Sequence, residues 1–286
     1  MKLKELRIQY HNDISDAIIR SVPDGQSYYY NFADKKNLSS RQIAEFIVNK
    51  ISADKIKRRR KGKATGTTFE RITRSFIEES FTLLNHLRPG KWHYSTTLDI
   101  SKFNQYKHLE DLAKIILKNK ELTSTLGTDY IVKPDIIIAR HPVSDDEINQ
   151  TSLIIPEGTR ELATRTPLRS VNIPINQMSL HASISCKWTI RSDRSQNART
   201  EALNLIRNRK GRLPYIVAVT AEPLPTRIAS LALGTGDLDC VYHFALYELQ
   251  EAITQLNKED QLDMLNTLVD GCRLRDISDL PFDLAI

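Results

Sequence analysis

The stretch Leu180–Pro214, LHASISCKWTIRSDRSQNARTEALNLIRNRKGRLP, decides how this chain is read. Apolar Ala182, Ile184, Cys186, Trp188 and Ile190 alternate with Ser183, Ser185, Lys187 and Thr189. A strand has a side-chain period of two, so the pattern predicts a strand with Ser185 and Lys187 on one face. Cys186 then points to the apolar side. A cation beside a small hydroxyl suits a site that handles a phosphate and a water. Beyond the strand the spacing predicts a turn, a helix starting near Ser195, and a second turn. Tyr215–Thr220 follows as a continuous apolar run, which predicts a central strand buried on both faces.

Outward from this unit, Tyr130–Ala139 (YIVKPDIIIA) is rich in strand formers. Pro134 belongs at an edge or a break in pairing. A carboxylate at Asp135, in a buried-looking strand, costs free energy unless it meets a cation or a donor. Residues 1–50 read as mainly helical, with a turn around Pro23–Gly25. A glycine-containing loop leads to a helix opened by a capping-box pattern, Thr67-x-x-Glu70. Phe69, Ile72, Phe76, Ile77, Leu84 and Leu87 carry its apolar face, and Pro89–Gly90 ends it. Further helices are expected at 107–119, 244–256 and 259–269, with a strand at 238–243 and loops with short strands over 141–180. There are no repeats and no linker. The expectation is one α/β domain over residues 1–286, a mixed central sheet flanked by helices.

Composition narrows the class. The chain has 286 residues, 40% of them hydrophobic, enough for a substantial core. No apolar run approaches the roughly 20 residues that span a bilayer, and the N-terminus lacks a signal core, so no membrane association and a bacterial cytoplasmic location are expected. Three distant cysteines exclude a disulfide framework and zinc ribbons, and no histidine pair has metal-ligand spacing. The net charge of +6 is concentrated in two blocks, one from Lys55 to Lys63 and one comprising Arg207, Arg209, Lys210 and Arg212. Such blocks suit a polyanion or a solvated basic face.

Phosphodiester hydrolysis needs an activated water and a stabilised leaving oxygen, which magnesium held by carboxylates and carbonyls supplies. Lys187 would position the water or neutralise the phosphate. An Asp on one strand and x-x-Lys on a neighbour resembles the PD-(D/E)xK nucleases. Here Ser185 stands where that pattern has an acid, as in members whose acid has moved to the next helix, in this chain Glu201. The resemblance extends to Gly66–Glu70 (GTTFE), His86–Trp92 (HLRPGKW), Val219–Pro223 (VTAEP), Leu233–Leu249 and Asp276–Ala285. Over nearly the whole length the chain is similar to the type IIF restriction endonucleases that recognise a CCGG core.

That resemblance implies a restriction-endonuclease-like fold and a magnesium-dependent enzyme that cuts both strands of a palindromic duplex, at G^CCGGC, leaving a CCGG 5′ overhang. It implies that Asp135, the carbonyl of Cys186, Glu70 and Glu201 hold metal, that Lys187 is the catalytic lysine, and that Ser185 lines the site. It assigns Arg191, Asp193 and Arg194 to the core. These types suit G·C pairs, because arginine pairs with guanine O6 and N7 and aspartate accepts from cytosine N4. It assigns Arg227 and Asp34 to an outer G·C pair. Lys36 and Lys63 replace smaller neutral residues of the family, so they are assigned to flanking phosphate contacts. It implies a homotetramer, a dimer of dimers, and a DNA methyltransferase of the same system that makes no direct contact.

Residue by residue, structural roles stay open. Glu70 would close the capping box, Asp135 would sit in a turn, Glu201 would be an exposed helix carboxylate, and Lys187 would snorkel beside Trp188. Arg191, Asp193 and Arg194 would form a surface ion cluster. Two other functions also stay open: a structure-selective repair or recombination nuclease of the same fold, and an inert DNA-binding regulator.

Overall fold

The computed structural model describes residues 2–51, 65–121, 124, 131–159, 161–172, 174, 177–190, 192–234 and 236–286. Eight strands are named here: β1 Ser21–Asp24, β2 Ser27–Tyr30, β3 Trp92–Ser95, β4 Ile136–Arg140, β5 Ser179–Lys187, β6 Tyr215–Thr220, β7 Cys240–His243 and β8 Leu274–Asp276. The helices are α1 Leu3–Ala17, α2 Leu38–Ile51, α3 Thr65–Leu83, α4 Lys107–Leu117, α5 Asp145–Ile148, α6 Ser192–Asn208, α7 Pro225–Ala232, α8 Leu246–Gln255, α9 Glu259–Asp270 and α10 Leu280–Asp283. β1 and β2 form an antiparallel hairpin, and the other strands follow the hydrogen-bonded order β3-β4-β5-β6-β7-β8. The sheet is mixed: β3 and β4 pair antiparallel, whereas β6, β7 and β8 run parallel.

The chain folds as two compact units, one of residues 1–87, 184–202 and 216–286, the other of 88–183 and 203–215. In the first, β6 and β7 are buried almost throughout, as the continuous apolar run of β6 requires. α1 meets α3 through Tyr10, whose hydroxyl lies 3.0 Å from Thr73 Oγ1 and whose ring lies 4.9 Å from Phe76. A half-buried ion triad ties α1 to α8 and β8. Arg7 donates to both oxygens of Glu248 (2.8 and 2.7 Å) and both of Asp276 (2.9 and 2.8 Å). Asp276 also accepts from the Leu246 N–H at 3.0 Å. Burial raises the two carboxyls, but the hydrogen bonds and the charge of Arg7, joined for Asp276 by hydrogen bonds from Ser278, together outweigh it and hold both below the usual range.

In the second unit, Ile136, Ile137, Ile138 and Ala139 are fully buried in β4. The polar segment after β4 is held by Arg169, 2% exposed, which donates to both oxygens of Asp145 at 2.5 Å, to the Thr159 carbonyl at 2.9 Å, and to the Leu162 carbonyl.

Several expectations need correction. The first 50 residues are not wholly helical, because Ser21–Asp24 and Ser27–Tyr30 pair around Gly25, whose φ of +63° suits glycine. α3 is already helical at Thr65 and ends at Leu83, so Thr67 does not cap it and Leu84 and Leu87 lie beyond it. Leu87 is exposed. α6 begins at Ser192, three residues before the expected start, so Asp193 and Arg194 occupy its first turn. β8 and α10 had no counterpart in the expected pattern.

Candidate functional site

The alternation in β5 is realised where it matters. Ala182, Ile184 and Cys186 are buried, whereas Ser185 and Lys187 are only half-buried. Trp188, the next residue, is 6% exposed and anchors the strand end in an aromatic cluster of the first unit. Its indole meets Phe69 at 5.2 Å, Phe32 at 5.5 Å and Phe244 at 6.0 Å. Edge-on packing of this kind is both apolar burial and a fixed ring geometry. Its placement is informative: Trp188 follows Lys187, Phe69 precedes Glu70, and Phe32 lies two residues before Asp34. The cluster therefore draws three candidate residues onto one framework.

Beyond the cluster, Thr220 at the end of β6 and Glu222 just after it pin the segment from Lys187 to Ile190 at both ends. Thr220 Oγ1 donates to the Lys187 carbonyl at 2.8 Å and accepts from the Glu222 N–H at 3.1 Å. The Glu222 carboxylate accepts from the Ile190 N–H at 2.9 Å and the Leu224 N–H at 3.3 Å. Glu222 is fully buried, and burial pushes its carboxyl up from 4.5 to about 7, against the Ile190 hydrogen bond and the Arg227 charge. Glu222 lies within VTAEP, and nothing in that stretch alone assigns it a role. Its signal was a carboxylate ending a buried apolar run just before a proline.

Arg227 lies on α7, with Nη1 3.9 Å from Glu222 and Nη2 in an ion pair with Asp34. The structure thus brings together Asp34 and Arg227, 193 residues apart in the chain. Asp34 also accepts from the Lys36 N–H at 2.9 Å, and its own N–H donates to Ser40 Oγ at 2.8 Å. Asp34, Lys36, Ile190, Gln196, Arg199 and Arg227 line a cavity of about 1050 Å³. Glycine is needed at 234 beside Arg199, since a Cβ there would lie 2.6 Å from Arg199 Nη2.

The other expected residues fall as follows. Glu70 is half-buried on α3, its carboxylate turned back toward Gly66. Glu201 is half-buried on α6, beside the buried stripe of Ala198, Ala202 and Leu205. Asp135 is half-buried immediately before β4, in the second unit. Arg191 and Lys63 lie outside the described residues, as does the Lys55–Lys63 block, and so do the side chains of Asp193 and Arg194.

Among the described residues no three His, Cys, Asp or Glu side chains gather into a metal cage. Magnesium does not ask for one; it keeps several waters and takes one or two carboxylates. The donors expected here are carboxylate and carbonyl oxygens, the hard ligands that ion prefers, so they fit it.

The family described as NgoMIV restriction enzyme matches residues 10–286. The chain belongs to that family. It is 50% identical over 259 residues to the type II restriction enzyme NgoMIV of Neisseria gonorrhoeae, covering 89% of each chain. It is therefore a type II restriction enzyme, a site-specific deoxyribonuclease, with the restriction-endonuclease-like fold expected from the sequence. A structure of the type IIF restriction endonuclease Bse634I with cognate DNA aligns over 86% of this chain and 99% of that one, at 13% identity and a TM-score of 0.37. All three cysteines are free, and no helix of the described residues is long and apolar enough to cross a membrane.

Proposed function

We propose that this restriction enzyme makes magnesium-dependent double-strand cuts at G^CCGGC. The observation that carries the site's outer pair is the meeting of Asp34 and Arg227 beside Glu222. Arginine and aspartate together match a G·C pair in the major groove, one donating to guanine and the other accepting from cytosine. Family membership supports the same assignment, and supports Arg191, Asp193 and Arg194 as readers of the CCGG core.

For cleavage, Asp135, Glu70, Glu201 and the carbonyl of Cys186 would hold magnesium. When bound, it would lower the pKa of water and stabilise the leaving oxygen. Lys187 would orient the attacking water and offset charge on the scissile phosphate. Ser185, beside it on the same strand face, would line the site. Thr220 fixes the Lys187 carbonyl, and Glu222 fixes the Ile190 N–H, so the segment from the catalytic lysine to Ile190 is held at both ends. Lys36 and Lys63 would add phosphate contacts at the flanks.

A palindrome asks for at least a two-fold dimer. The homotetramer, two such dimers back to back, is our reading from the family resemblance. A methyltransferase of the same system would protect host sites in the cytoplasm without touching this protein. The test is digestion of plasmid DNA by wild type and Lys187→Ala, with and without magnesium. Discrete fragments that need both magnesium and Lys187 support the proposal. Nicks that follow DNA structure rather than sequence, or no cleavage, would reject it. For assembly, faster cleavage of two-site than one-site plasmid is expected, and equal rates with a dimeric mass would reject the tetramer.

A further inference from the structure

The second basic block takes no part in the site above. Two of its residues, Lys210 and Arg212, line a cavity of about 580 Å³ in the second unit. Arg88, Arg140 and Arg165 line it too, and no carboxylate is among its described lining residues. Burial and the charges of Arg212 and Arg140 push the Arg88 guanidinium below its ordinary value. These cations are close enough to oppose one another.

The arrangement is built by fixed contacts. Gln105, 6% exposed, donates Nε2–H to the Leu180 carbonyl at 2.7 Å and accepts the Leu180 N–H at 2.9 Å. Its own carbonyl takes the Lys210 N–H at 2.9 Å, which pins the turn through Gly211 at φ +92°. Arg140 donates to the Pro89 carbonyl at 2.8 Å and lies 5.7 Å over the Trp92 ring. Trp92 in turn packs on His181 at 4.8 Å. A Cβ at Gly90 would lie 2.7 Å from Arg140 Nε, so glycine is needed for this approach. Nε itself is buried with no acceptor among the described residues.

Five cations around one cavity, with no carboxylate among its described lining residues, match a phosphate, which guanidinium groups can grip through paired N–H donors. We propose that this cavity binds a phosphate group, held by Arg88, Arg140 and Arg212 against the Trp92–His181 wall. It is distinct from the cleavage residues along the chain. Arg140 ends β4 whereas Asp135 precedes it, and His181 lies near the start of β5 whereas Lys187 ends it. The phosphate comes either from a DNA backbone or from a free phosphate compound.

The test titrates the full chain calorimetrically with inorganic pyrophosphate, and measures non-cognate duplex binding over a range of salt. Arg212 is exposed, so Arg212→Glu is expected to fold, and a thermal melt checks this. Pyrophosphate should bind wild type and Lys187→Ala alike. It should bind Arg212→Glu roughly tenfold or more weakly. Arg209→Glu, in the same block but outside the cavity lining, should behave as wild type. A duplex salt slope that falls by about one or more in Arg212→Glu alone assigns the phosphate to DNA. An unchanged slope with lost pyrophosphate binding assigns it to a free compound. Unchanged pyrophosphate binding with an unchanged slope, or equal effects from Arg209→Glu, would overturn the site.

Discussion

Replacing Glu222 by glutamine separates the charge of this residue from its shape. The carboxyl is fully buried and pushed from 4.5 to about 7, by burial first, with the Ile190 hydrogen bond and Arg227 opposing. Below about pH 4.5 it is neutral in both folded and unfolded chains, and its contribution to stability is fully present. As pH rises toward 7 the unfolded chain loses this proton first, so that contribution is lost. At about 1.4 kcal/mol per pH unit, the interval is worth on the order of 3 kcal/mol. The amide has no proton to lose. Urea unfolding of wild type and Glu222→Gln from pH 5 to pH 8 should therefore show the variant gaining relative stability by roughly 2–3 kcal/mol. His243, held neutral by burial with its imidazole near 4, is common to both proteins and cancels. A stability difference that stays flat within about 1 kcal/mol across that range would refute the buried-carboxylate account.

Further outcomes follow from the same geometry. Asp135→Ala and Lys187→Ala should abolish cleavage while cognate binding, measured by gel shift, persists; wild-type turnover in either would dismiss its catalytic role. Arg7→Ala strands the buried Asp276 carboxylate, and urea unfolding at neutral pH should show a loss of about 3–5 kcal/mol. That loss should shrink in acid, because the lowered carboxyls of Asp276 and Glu248 stabilise the fold only while ionised. Arg227→Ala should reduce discrimination at the outer base pair by about 1–3 kcal/mol, read as the ratio of binding to cognate and outer-pair-swapped duplexes. An equal loss on both duplexes would move Arg227 to phosphate contact.

The parts of the fold that sequence revealed are those where local period and tertiary burial agree. β5, β6 and α8 are of this kind: β5 alternates, β6 is a nearly continuous apolar run, and α8 buries Leu246, Leu249, Ala252 and Ile253 at helical spacing. The hairpin at Ser21–Tyr30 was hidden because Pro23 and three consecutive tyrosines give no clean alternation, and the pairing is set by the turn at Gly25. α3 ends at Leu83, before Pro89–Gly90, because a proline marks where a helix must stop, not where it does stop. In the site, Asp34 and Arg227 were named individually, but nothing local shows that they meet. Glu222 was silent because its partners are main-chain N–H groups, Ile190 among them, which sequence patterns do not display.

The most direct test of the central claim is end mapping of magnesium-dependent digests of DNA of known sequence. We expect both strands to be cut after the outer G of GCCGGC, with a four-nucleotide CCGG 5′ overhang, and Lys187→Ala to leave the DNA intact. Fragment ends at sites lacking the CCGG core, or intact DNA with wild-type enzyme, would contradict it.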